Sequence, residues 1–69
     1  MTDLAITVNG EPRRLPGPAT LLDLLAALDL DARTVVVELN REIVRRPHLG
    51  EAALAPGDQV ELVHFVGGG

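Results

Sequence analysis

Sixty-nine residues and 7.3 kDa hold one small domain, and a chain this short buries only about 60% of the surface its unfolded form exposes, which leaves little space for a roomy internal active site. The hydrophobic content of 46% is nearly all aliphatic, with Phe65 the only aromatic residue, which supplies a compact core and argues against a disordered chain; with no Cys, disulfides and thiolate metal sites are excluded. Ten acids against six bases, every base an arginine, set the net charge at −4 and speak against a nucleic-acid-binding face.

In chain order, residues 4–8 alternate large apolar with small or polar side chains, the mark of a strand with one buried face. Asn9-Gly10 follows, a dipeptide that tolerates positive φ at both central positions of a type I′ turn, so the chain is expected to double back through residues 11–15. Pro12 cannot donate to a ladder and marks this second strand as an edge, ended by Pro16-Gly17-Pro18.

Thr20 stands before a leucine-rich run with Asp23 three positions on, a capping box with Asp in place of Glu. Leu21, Leu24, Leu25 and Leu28 recur at i, i+3, i+4 and i+7, one apolar stripe that needs a sheet to lie against. The pattern predicts a helix of about ten residues ending near Leu30-Asp31. Residues 34–39 form a β-branched, nearly continuous apolar run suited to an interior strand. Asn40-Arg41 reads as a turn and residues 42–45 as a short fourth strand stopped by Pro47. A loop with one helical turn around residues 51–53 leads to the Pro56-Gly57-Asp58 turn, and residues 59–66 form the last and longest strand. The expected core is Ile6, Val8, Leu21, Leu24, Leu25, Leu28, Val35, Val37, Val60 and Leu62.

The order is hairpin, helix, strand, short strand, long strand, with the first and last strands parallel at the centre and the helix on one face. This is an α+β, ubiquitin-like β-grasp fold: a mixed four- to five-stranded sheet with one main helix, spanning residues 1–66, followed by a glycine tail at 67–69.

With neither Ser nor Cys as nucleophile and no Lys for a Schiff base, side-chain covalent catalysis is nearly excluded. His48 and His64 are too few for a three-histidine metal site, and Gly10, Gly17, Gly50 and Gly57 are isolated turn positions, not a phosphate-binding loop. An enzyme is therefore the weakest class. Without a basic leader or a long apolar run, the expected setting is the cytoplasm.

Gly67-Gly68-Gly69 is the segment whose composition the fold does not demand. Lacking Cβ atoms, it is thin enough to thread a narrow channel, and at about 3.3 Å per residue it carries the terminal carboxylate roughly 10 Å past the last strand. A carboxylate with a pKa of about 3.5 is a poor electrophile at neutral pH. Activation as an acyl-adenylate requires ATP and Mg²⁺ in a partner's site, since this chain cannot build one.

The stretches Ile6-Thr7-Val8-Asn9-Gly10-Glu11, Val37-Glu38-Leu39-Asn40 and above all 57–69, Gly-Asp-Gln-Val-Glu-Leu-Val-His-Phe-Val-Gly-Gly-Gly, resemble the thiazole-pathway sulfur carrier family, ThiS, over the whole chain. The resemblance implies that Gly69 is adenylated by a ThiF-type adenylyltransferase and converted to a thiocarboxylate with sulfur from a cysteine desulfurase. It further implies delivery of that sulfur to the thiazole synthase ThiG for thiamine biosynthesis. The Asn40-Arg41 pair departs from the Asn-Gly frequent in the family, which bears on the second turn and not on the tail. Carriers for tRNA thiolation or molybdopterin synthesis share the fold and the Gly-Gly end. A non-covalent ubiquitin-like binding module and a modifier joined to lysines are the alternatives from other classes.

One helix covers one sheet face, so one parity of the last strand is expected to face solvent beside the tail. Val63, Phe65 and Val66 are the expected partner-binding residues there. His64 reads as a rim histidine, the arginines at 13, 14, 41, 45 and 46 as solvated, and Glu38, Glu42, Glu51, Asp58 and Glu61 as charges that steer the chain toward a basic partner.

Overall fold

The computed structural model describes residues 3–64. Within them the order is β1 (Asp3–Val8), β2 (Glu11–Pro16), α1 (Leu21–Ala27), a 3-10 turn (Ala32–Thr34), β3 (Val35–Leu39), β4 (Glu42–Val44), a second 3-10 turn (Arg46–His48) and β5 (Gln59–His64). The strands form one five-stranded sheet in the order β2-β1-β5-β3-β4. β1 and β5 are parallel, while β1·β2, β3·β4 and β3·β5 are antiparallel. The β-grasp arrangement is thus present, with β5 in the middle and the proline-bearing β2 at one edge. The expected continuation of β5 through Val66 and the tail at 67–69 lie outside the described residues.

Helix α1 starts where Thr20 and Asp23 place it. The Thr20 hydroxyl accepts the Asp23 N–H at 3.2 Å, and Asp23 Oδ2 accepts the Thr20 N–H at 2.8 Å. The remaining free donors of the first turn are satisfied by the long segment after β4: Leu21 N–H donates to the Ala52 carbonyl at 3.0 Å and Leu22 N–H to that of Leu49 at 3.2 Å. A buried helix start therefore needs this crossing loop in place, and Leu49 and Leu54 on the loop enter the core.

The helix is shorter than its leucine pattern predicts. It stops at Ala27 because Asp29 adopts a left-handed conformation, φ 60°. Asp29 N–H then donates to the Ala26 carbonyl at 3.1 Å and Leu30 N–H to that of Leu25 at 2.9 Å, the paired bonds of a Schellman cap. Leu30 folds back against the core, and Leu28, at the cap, is half-buried instead of fully enclosed. The single helical turn expected at 51–53 occurs earlier, at Arg46–His48, where Pro47 presets φ for the turn.

The core is wholly apolar among the described residues: Leu4, Ile6, Val8, Leu15, Ala19, Leu21, Leu24, Leu25, Val35, Val37, Leu49, Leu54, Val60 and Leu62 are buried, and no polar side chain joins them. Leu21, Leu24 and Leu25 from the helix meet the inward parity of β1, β3 and β5. Each such side chain contributes about 1.5–3 kcal/mol by leaving water.

Both hairpins turn through two residues of positive φ: Asn9 (52°) with Gly10 (83°), and Asn40 (51°) with Arg41 (73°). The first pair suits a type I′ turn, whereas Arg41 sets a Cβ where only glycine is free of strain. Replacing Arg41 with Gly is expected to raise stability by roughly 0.5–1 kcal/mol, the relieved strain exceeding the added chain entropy, and to lift Tm by roughly 2–8 °C. A calorimetric Tm at or below that of the parent contradicts the strained-turn reading.

Candidate functional site

Among the described residues the helix covers one face of the sheet and no element covers the other. Register fixes what lies on that open face: Val36 opposite Val63, Glu38 opposite Glu61, and Ile43 opposite Glu38 on the far side. Val63 is 55% and Ile43 65% exposed, the two largest exposures among the large hydrophobic residues described. With half-buried Val36 they make an apolar strip across β4, β3 and β5.

Beside the strip runs a shallow groove of about 550 Å³ lined by Thr7, Gly10, Glu38, Arg41, Gln59, Val60 and Glu61. Glu38 and Glu61 face each other across the β3·β5 ladder, an arrangement that costs a few tenths of a kcal/mol or more when like charges have no counterion. Among the described residues the contacts within 4.0 Å between a basic side chain and a carboxylate are Arg33–Asp31 and His48–Glu51, so Glu38, Glu61 and Arg41 have no such partner among those residues. No group of three or more metal-ligating side chains occurs among the described residues.

Of the residues expected to bind a partner, Val63 lies on the open face, as alternation along β5 requires. Phe65, Val66, Gly67, Gly68 and the carboxyl-bearing Gly69 lie outside the described residues. His64 is exposed at the end of β5, opposite Val35. Ile43 is the open-face residue that the sequence reading missed. Its strand is only three residues long, too short for alternation to announce a face, and its parity becomes readable only once the pairing with Glu38 is known.

The clearest electrostatic feature lies at the end of the sheet from which β5 runs on to the tail, since the 3-10 turn Ala32–Thr34 leads directly into Val35, the partner of His64. Arg33 donates from its side chain to both carboxylate oxygens of Asp31, with Nη2 to Oδ2 at 2.8 Å, and its backbone N–H donates to Oδ1 at 2.8 Å. These bonds, the side-chain ones first, hold the Asp31 carboxyl down at about 2 from its ordinary 3.8, and Asp31 in turn raises the Arg33 guanidinium.

Comparison with known proteins gives this fold a family. The ThiS family model matches residues 6–69. The chain superposes on the crystal structure of the thiamine biosynthesis protein ThiS from Geobacter metallireducens with a TM-score of 0.81 and 38% identity, covering 96% of this chain and all 100% of that one. It is 46% identical over 50 residues to the sulfur carrier protein ThiS of Bacillus subtilis, covering 72% of this chain and 76% of that protein. It is also 39% identical over 66 residues to the thiazole synthase of Paramagnetospirillum magneticum. That match takes in 96% of this chain but spans only 20% of the length of the enzyme. The fold defines a ubiquitin-like β-grasp protein. The chain belongs to the ThiS family, the sulfur carriers of thiamine biosynthesis.

Because the Asp31 carboxyl is depressed in the folded chain, its stabilising contribution is complete above the ordinary value of 3.8 and is lost as pH falls toward about 2. A carboxyl carbon NMR titration is expected to place the Asp31 midpoint below that of the other aspartates, and R33A to move it back up; a midpoint indifferent to R33A contradicts the assignment.

Proposed function

We propose that this chain carries sulfur on the carboxyl group of Gly69. The carboxylate attacks the α-phosphate of ATP in a ThiF-type adenylyltransferase, with Mg²⁺ held by that enzyme, and pyrophosphate leaves. Persulfide sulfur supplied through a cysteine desulfurase then attacks the acyl carbon and displaces AMP, and a thiol cleaves the resulting acyl disulfide, leaving the thiocarboxylate and a disulfide. The thiocarboxylate delivers its sulfur to a thiazole synthase of the ThiG type, and in this scheme the chain is a co-substrate in the cytoplasm and not a catalyst. The relation to thiazole synthases supports that acceptor, because a segment like this chain makes up a fifth of their length.

The observation that carries the reading is continuity. The central strand, with Val63 on its free face, leads through residues 65–66 into Gly67-Gly68-Gly69, and the family match runs to residue 69. A partner that grips the strip of Val36, Ile43 and Val63, with Phe65 and Val66 beyond it, holds the strand that bears the tail. The missing Cys and Lys fit this chemistry, since no thiol or side-chain amine of the carrier can capture its own activated acyl group.

Intact mass after incubation with ATP, Mg²⁺, the activating enzyme and a sulfur source is expected to show one oxygen replaced by sulfur, and a chain lacking residues 68–69 to show no change. An unchanged mass in the full chain favours a non-covalent binding module and overturns the proposal. Transfer to thiazole synthase, tested against tRNA-thiolating and molybdopterin-forming acceptors, separates the pathways.

Val63→Asp is expected to leave stability within about 0.5 kcal/mol, because the site is exposed. It should remove about 1.5–3 kcal/mol of valine burial at the interface, a rise in KM for the activating enzyme of roughly 10- to 100-fold. A KM equal to that of the parent removes Val63 from the docking surface.

A further inference from the structure

Strand β5 outruns the strand beside it. Its parallel pairing with β1 covers Thr7 with Gln59 and Val8 with Val60, and the last backbone bond on that side runs from Asn9 N–H to the Val60 carbonyl at 2.8 Å. There β1 turns away through Asn9-Gly10 into the hairpin. The N–H and C=O of Leu62 point to the side that β1 has left, where a strand interior has no water-independent partner.

The Asn9 side chain takes that place. Its Oδ1 accepts the Leu62 N–H at 2.7 Å and its Nδ2 donates to the Leu62 carbonyl at 3.3 Å. A primary amide offers the same donor and acceptor as a peptide group, so Asn9 adds one rung to a ladder whose backbone has ended. Asn40 does the corresponding work at the start of β5 from the opposite side. Its backbone N–H donates to the Gln59 carbonyl at 2.8 Å, its Oδ1 accepts the Gln59 N–H at 2.9 Å, and its Nδ2 donates to Asp58 Oδ1 at 3.1 Å.

We infer that Asn9 is a positioning residue for the terminal carboxyl group: by clamping Leu62 it fixes the direction in which β5 delivers the residues beyond His64 to the active site of a partner. The inference rests on the reading that Gly69 is the reacting end. Without the clamp, β5 past Val60 is paired on the β3 side alone, and a strand held on one side opens locally more often. A swing at Leu62 shifts the end of the described strand, from which the residues that follow depart. In an acyl-activation step a misplacement of about 1 Å can cost on the order of 100-fold in rate. Docking depends instead on Val63 and Ile43, which keep their pairing with β3, so the loss belongs to the chemical step and not to association.

The test uses Asn9→Gly, which retains a turn that Gly-Gly also supports and removes the clamp, and Asn9→Asp, which tolerates positive φ and can still accept the Leu62 N–H. In Asn9→Gly, amide hydrogen exchange at Leu62 is expected to accelerate at least about tenfold relative to amides of the β3·β4 ladder. In ATP–pyrophosphate exchange with the activating enzyme, its kcat should fall by about tenfold while KM for the carrier stays within about twofold. Asn9→Asp should recover the larger part of kcat. Unchanged exchange at Leu62, a kcat within about twofold of the parent, or a loss confined to KM each overturns the positioning role while leaving Gly69 as the reacting end. A parent chain that is not adenylated at all overturns both readings.

Discussion

Everything in this fold depends on β5 entering the slot between two hairpins. β1·β2 closes locally through Asn9-Gly10 and β3·β4 through Asn40-Arg41, but neither is a stable sheet alone. They become one sheet only when β5 pairs with β1 in parallel and with β3 in antiparallel register. These pairings join residues far apart in the chain, so the loop-closure entropy is overcome late, by apolar side chains that meet across the sheet: Val8, Val37, Val60 and Leu62. The two asparagines extend this insertion beyond what the backbones alone supply.

The sheet is packed on one side only, and this asymmetry divides the labour of the molecule. The helix face holds the whole apolar core, while the open face carries valines and an isoleucine among carboxylates at a modest cost. An antiparallel or mixed sheet tolerates such a half-solvated state. Because β5 is common to both faces, a force applied to its exposed side chains is transmitted through a strand whose other parity is locked in the core.

The local signals in the sequence were legible. The Asn-Gly hairpin, the Thr20–Asp23 capping box and the leucine stripe each involve residues within one or two turns of each other; the first two stand where their patterns place them, and the stripe does so through Leu25, with Leu28 left at the cap. Elements decided by distant partners were not readable. Asp29 in the left-handed region cut α1 short, a position more often given to glycine, and the helical turn settled at Arg46–His48 so that Leu49 and Ala52 could meet the start of α1. Asn9 and Asn40 read as turn residues, since nothing local to them shows that their side chains reach Leu62 and Gln59, Leu62 lying 53 positions along the chain from Asn9. Val63 was found by alternation along a strand of six residues, while Ile43, on a strand of three, was not.

The borders of the sheet have a colloidal consequence. β2 carries Pro12 and Pro16 with Arg13 and Arg14 between them, and β4 is brief and runs straight into Arg45-Arg46-Pro47. Missing donors, repelling guanidinium groups and short length all discourage a neighbouring molecule from adding its own strand. A protein that displays bare valine and isoleucine to solvent can thus remain dispersed in a crowded cell, its sticky surface reserved for visitors that approach face-on, not edge to edge.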